Sequence, residues 1–281
     1  MYLKKDSRIP ATQRKAADII GWAMQRLEDA SAGLVFDPVP HTYSLHGREM
    51  RSVSSIVKDF TTFDKEERAK SASTNPKHEF YGVDPQEIIR IWEERGQEAA
   101  DAGTAVHEFG EACCLYLLDR EEEIPERFRG RITPDGLVAI DPKEVACAQW
   151  WASTDWDNCA VVAKETRIVN PALGYAGTFD LLLYDFGCNG FRIKDYKTNK
   201  DLHKWFGNYL RPPLSVLKEN DIGKYTVQQS LYAIALANIG IQTESMDLVW
   251  LRENRCCQEV RLDSSYIRLV DYAVRTSSKN S

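Results

Sequence analysis

The stretch at residues 177–197 constrains the fold more than any other. It reads Gly177-Thr178-Phe179-Asp180-Leu181-Leu182-Leu183-Tyr184, then a short turn, then Phe191-Arg192-Ile193-Lys194-Asp195-Tyr196-Lys197. The two apolar runs flank Phe186-Gly187-Cys188-Asn189, whose Gly and Asn favour a tight turn, so a β-hairpin is expected. If Asp185 pairs with Gly190, Asp180 falls opposite Asp195, and directly opposed residues share one face of a sheet. Asp195 and Lys197, two apart on one strand, share that face as well. Two carboxylates and an ammonium therefore converge among Phe179, Leu181, Leu182, Leu183 and Ile193, which read as buried. Like charges directly opposed destabilise a sheet. A divalent cation removes the conflict, and oxygen-only ligands suit Mg²⁺ or Mn²⁺, with Mg²⁺ keeping waters that serve as nucleophiles. The competing reading is a Lys–Asp ion pair on a solvated hairpin edge, worth little.

The chain has 281 residues, enough for one large domain with a sizeable core. No run approaches the length of a membrane span, and the start Met-Tyr-Leu-Lys-Lys-Asp lacks an apolar segment, so neither a span nor a secretory signal is expected. The expected setting is the cytoplasm, with no membrane partner. Seven cysteines form no C-x-x-C and read as reduced thiols. Net charge is −6, which excludes a protein that coats nucleic acid by overall basicity. Yet residues 190–224 carry eight Lys/Arg against four acids, a local +4 that leaves −10 for the rest.

Along the chain, residues 12–30 show apolar residues at helical spacing (Ala16, Ile19, Ile20, Ala23, Met24, Leu27), an amphipathic helix. A small hairpin is expected around His46-Gly47, followed by a short helix over 52–60. Residues 61–82, polar and rich in Lys, Glu and Ser, read as the most mobile part. Asp84-Pro85 resembles a helix start. One helix is expected to about Ala100 and a second from Gly103 through Leu118, with His107 and Glu111 stacked at i and i+4. Residues 121–142 read as a charged connection, 142–156 as a helix and 160–169 as a strand. Residues 202–217 interleave His203, Lys204, Trp205, Phe206, Tyr209 and Arg211, a composition that contacts phosphates and stacks on unpaired bases, or else forms a solvated loop with aromatic anchors. A helix over 224–239 carries Gln228 and Tyr232 at i and i+4. A closing hairpin (246–252 with 257–262) and a terminal helix capped by Asp263 complete the expectation.

This order resembles the PD-(D/E)XK nuclease superfamily, and within it the RecB-like branch that includes phage recombination exonucleases and mitochondrial genome-maintenance exonucleases. The matching pieces are Gly103-Thr104-x-x-His107, Gly177-x-x-Asp180, Asp195-x-Lys197 and Gln228-x-x-x-Tyr232. A fainter likeness covers Tyr43, Gly47 and Ser52-Val53-Ser54-Ser55-Ile56. The resemblance implies an α/β (α+β) fold: a restriction-endonuclease-like core over 103–281 with a mixed central sheet flanked by helices, and a mainly helical extension over 1–102 covering the cleft. It implies Asp180, Asp195 and Lys197 as catalytic residues, and Mg²⁺ or Mn²⁺ held by Asp180, Asp195, His107 and the Tyr196 carbonyl. Gln228, Tyr232, Thr198, Lys200 and Ser54 would contact nucleic acid, with Glu111 and Glu165 as outer-shell acids. Some relatives bind an iron–sulfur cluster; no Cys precedes Gly103 and Cys256-Cys257 are adjacent, so none is expected. The implied activity is a DNA exonuclease of phage-type recombination, replication or repair. It would work on linear ends in a bacterial or phage-infected cytosol, with a single-strand annealing or binding protein as a partner. An endonuclease on the same core and a catalytically silent DNA-binding module are the alternatives.

Overall fold

In the computed structural model, which describes residues 1–40 and 42–277, a mixed eight-stranded sheet carries the fold. In spatial order its path runs Cys257–Arg261, Thr243–Leu251, Gly190–Lys197, Tyr175–Asp185, Arg48–Ser52, Thr42–Leu45 and Leu34–Asp37; Cys159–Asn170 pairs with Tyr175–Asp185 off this path. Gly190–Lys197 and Thr243–Leu251 run parallel, joined through the helix Asp221–Asn238, because parallel neighbours need a crossover rather than a turn.

The central hairpin has the expected register, from Asp185 opposite Gly190 to Leu181 opposite Lys194. Its turn is fixed by Asp185, whose Oδ1 accepts the N–H groups of Gly187 at 2.7 Å and Cys188 at 3.2 Å, and by Asn189 at φ +53°. One step before Asp180 would face Asp195 the ladder ends. Tyr175 and Ala176, at the other end of the strand, pair instead with Arg51 and Ser52. Residues 177–180 thus lie between two strands that diverge, and Asp180 Oδ2 takes the Tyr196 N–H at 2.7 Å in place of a backbone bond. The pleat shifts here too. Phe179 packs in the same cluster as Leu182, whereas Leu181 packs with Leu183 on the other side.

Helices cover both faces. Ala17–Ser31, Val53–Asp59, Asp221–Asn238 and Ile267–Ser277 pack with Phe179, Leu182, Ile193 and Leu248; Pro85–Leu117 and Pro142–Ser153 pack with Leu181, Leu183, Tyr196 and Val249.

Several elements differ from the sequence reading. The amphipathic segment is two helices, Arg8–Lys15 and Ala17–Ser31, interrupted at Ala16. Residues 61–82 contain the helix Lys65–Thr74, capped by Asp64, whose Ala69 and Ala72 pack on Phe80 and Ile88; two small apolar faces suffice despite the polar composition. The two helices expected around Gly103 are one 33-residue helix, Pro85–Leu117, which passes through the 102/103 boundary. Packing at both of its ends overrides the weak propensity of Gly96 and Gly103. The hairpin at His46-Gly47 is as expected, with φ +49° and +80° suiting a type I′ turn. Among the described residues no helix is long and apolar enough to cross a membrane.

The long helix approaches the Lys197 strand closely at Gly110, where a Cβ would lie 2.7 Å from the Tyr196 ring. Gly110→Val is expected to destabilise the protein by about 1–3 kcal/mol, read as a lower urea midpoint at unchanged m. An unchanged midpoint would contradict this seating.

Candidate active site

A cleft of about 1090 Å³ opens where the strands diverge. Gly103 and His107 of the long helix form one wall, Ser52 and Ser54 a second, and Gln228 and Tyr232 a third; Lys197, Thr198, Lys200 and Glu165 line it as well. Asp180 and Asp195 lie beneath, 8% and 2% exposed. Gly177 is required at this point, since a Cβ there would sit 2.8 Å from the Tyr232 ring.

Three ligand atoms converge. His107, Glu165 and Asp180 each present one donor atom, all within 4.8 Å of one another. His107 Nδ1 is 3.2 Å from Asp180 Oδ2. Glu165 reaches this set from the neighbouring strand at a left-handed backbone position, φ +41°. The sequence reading put Glu165 in the outer shell and Asp195 and Tyr196 among the ligands. In the structure Glu165 joins His107 and Asp180 in the converging trio; Asp195 is ion-paired with Lys197, and the Tyr196 N–H, not the carbonyl expected to serve as a ligand, is the group bonded to Asp180. The ladder ends one step before Asp180 would pair with Asp195, yet the Asp180 charge still acts on Asp195.

Burial and charge set the protonation of this group. Burial alone would lower the His107 pKa, but the adjacent Asp180 carboxylate outweighs it and raises it to about 9. Glu165 is pushed up to about 8 by burial and then by the Asp180 charge. Burial also lifts Asp195, to about 6, against the pull of Lys197. Asp180 is held below the ordinary carboxylate range: burial opposes this, but His107, Lys197 and the Tyr196 N–H prevail. Lys197 is raised despite burial, because Asp195 faces it.

The other expected residues are distributed around this centre. Gln228 Nε2 donates to the Tyr232 hydroxyl at 3.4 Å, and the Ser54 hydroxyl lies 3.2 Å from that of Ser52. Glu111 lines the cleft but is ion-paired with Lys164. Tyr225 was missed. Its ring covers the Lys197 ammonium at 4.2 Å, and its hydroxyl donates to Asn199 Oδ1 at 2.8 Å, so a cation–π contact adds to the Asp195 ion pair in holding Lys197. Its spacing, one turn before Gln228 on the same helix, was the available signal. In the basic and aromatic segment, Leu202 is buried and Trp205 Nε1 donates to the Asn208 carbonyl, whereas Phe206 is 66% exposed.

No family model and no curated protein matches the chain. Among solved structures it is similar to one from Eubacterium rectale described as a "Putative exonuclease", at 14% identity and a TM-score of 0.40, over 82% of this chain and 79% of that one.

Proposed function

We propose that the chain is a metal-dependent deoxyribonuclease that hydrolyses phosphodiester bonds from strand ends. The observation that carries this reading is the convergence of His107, Glu165 and Asp180 beside the buried Asp195–Lys197 pair, under a cleft open to solvent. One imidazole and two carboxylates suit Mn²⁺ and also Mg²⁺. His107, Glu165 and Asp180 would hold the ion; when bound it supplies Lewis acidity and a water of lowered pKa. Lys197, kept charged by Asp195 and covered by Tyr225, offsets negative charge building on the phosphate. Asp195 orients that ammonium. Thr198, Lys200, Gln228 and Ser54 line the path a backbone would follow. The endonuclease alternative differs only in whether a strand must enter by its end.

The test is a digest of end-labelled linear DNA and covalently closed circles with Mg²⁺ or Mn²⁺. Linear DNA is expected to be degraded from a terminus while circles survive, with activity falling as salt rises. Efficient cutting of circles would favour the endonuclease, and no cleavage of either form would overturn the nuclease reading. Deleting residues 1–60 is unsuitable as a control. Those residues supply Val53, Ile56 and Phe60 to the main core and Arg48–Ser52 to the sheet, so the deletion would unfold what it means to uncover.

A further inference from the structure

We infer that a second cavity, next to the cleft, holds one flanking nucleotide of a single strand whose backbone is cut in the first; this deepens the nuclease reading and rests on it. The cavity, about 730 Å³, lies between the Lys65–Thr74 helix and the segment 201–224. It adjoins the cleft directly. Asn199 of the cleft wall donates to Asp221 of the second cavity at 2.7 Å, and Lys224 of that cavity precedes Tyr225 of the cleft.

Its lining combines exposed aromatic rings with cations. Phe63 and Phe206 are 55% and 66% exposed, which leaves apolar ring surface in water. Arg68 and Lys204 stand beside them without a carboxylate partner among the described residues, the Lys204 ammonium 4.9 Å from the centre of the Phe206 ring. The three acids of the lining are occupied. Glu219 accepts the N–H groups of Thr62 at 2.9 Å and Phe63 at 3.0 Å, Asp201 accepts that of His203 at 2.8 Å, and Asp221 takes Asn199. The lining is balanced in formal charge, three cations against three carboxylates, but Lys224 lies 3.8 Å from Asp221 and the carboxylates are engaged within the fold, which leaves Arg68 and Lys204 as the cations without a carboxylate partner among the described residues. A nucleotide offers a π-face for the rings and a phosphate for the cations, a combination that an inorganic anion lacks. A cavity of this size takes a splayed nucleotide and not a duplex, so single-stranded substrate is preferred on this side.

The test compares two substrates: an oligothymidylate of about a dozen nucleotides, long enough to span both cavities, and bis(p-nitrophenyl) phosphate, a phosphodiester without bases. Phe206→Ala and Phe63→Ala are expected to raise KM for the oligothymidylate, and its Kd by fluorescence anisotropy, about tenfold each. Neither should change turnover of bis(p-nitrophenyl) phosphate. Lys204→Glu is expected to weaken oligothymidylate binding and flatten its salt dependence by about one ion. Unchanged KM and Kd in all three variants would overturn the inference, as would an equal loss on both substrates. If the wild type binds the oligothymidylate but cleaves neither substrate, the nuclease reading falls, and the anisotropy series still decides whether the cavity binds a strand.

Discussion

Asp180→Asn is expected to reduce DNA cleavage by on the order of 10³-fold while leaving the fold intact. The amide keeps the shape of the carboxyl group and one oxygen to accept the Tyr196 N–H, so the junction between the strands survives. What disappears is the charge shared with His107 and Glu165, on which cation binding would depend. The loss has a second readout independent of turnover. His107 titrates near 9 because Asp180 outweighs the effect of burial. Without that carboxylate the lowering influence of burial and Lys197 is opposed by the weaker pull of Asp195 and Glu165, so the His107 titration moves down. An NMR titration of the imidazole in the metal-free protein measures it; a midpoint unmoved from the wild type would show that Asp180 is not the partner of His107.

Lys197→Ala should abolish cleavage and also destabilise the protein, by about 3–5 kcal/mol at neutral pH, because it strands a buried carboxylate. Asp195 is 2% exposed and its ion-pair partner is Lys197. Burial already lifts Asp195 to about 6 with the ammonium present, and removing the ammonium lifts it further. The sign follows from linkage. A carboxyl group whose folded pKa exceeds its unfolded value favours folding when protonated, so the variant is least harmed in mild acid and loses stability as pH rises through the folded value. Adding Asp195→Asn is expected to restore most of the stability and none of the activity. Urea midpoints of wild type, Lys197→Ala and the double variant, taken near pH 5 and pH 8, decide the point. Equal losses at both pH values would mean that the buried carboxylate is not the cause.

The hairpin was legible because its turn residues and its two apolar runs fix one register, and Asp185 opposite Gly190 follows from them. The element order from the His107 helix to the closing strands was legible for the same reason: each element carries its own periodicity. What the hairpin reading missed was the third partner. Tyr175–Asp185 shares one edge between Gly190–Lys197 and Arg48–Ser52, and that choice is made by residues more than a hundred positions away. Local pattern could therefore extend the ladder to Asp180 and Asp195 but not see it end. The approach of Glu165 to Asp180 was not legible either, since it depends on a backbone kink at φ +41° that no spacing announces. Around Lys65–Thr74 the composition misled, because Ala69 and Ala72 bury a face too small to register as periodic hydrophobicity.

The long helix, about 50 Å from end to end, has its two ends seated in different clusters: Ile88 with Ala69 and Phe80, and Phe109 with Leu181 and Tyr196. Between them, residues 97–102 are solvent-exposed, and Gly96 and Gly103 bracket them. Each glycine weakens a helix by about 1 kcal/mol relative to alanine. Ala99, Ala100 and Gly103 of this stretch are also the wall of the cleft. The rod that carries His107 is thus thinnest in cooperativity where it borders the cleft. Amide hydrogens there should exchange with solvent sooner than those on either side, making this span the point at which the helix yields first.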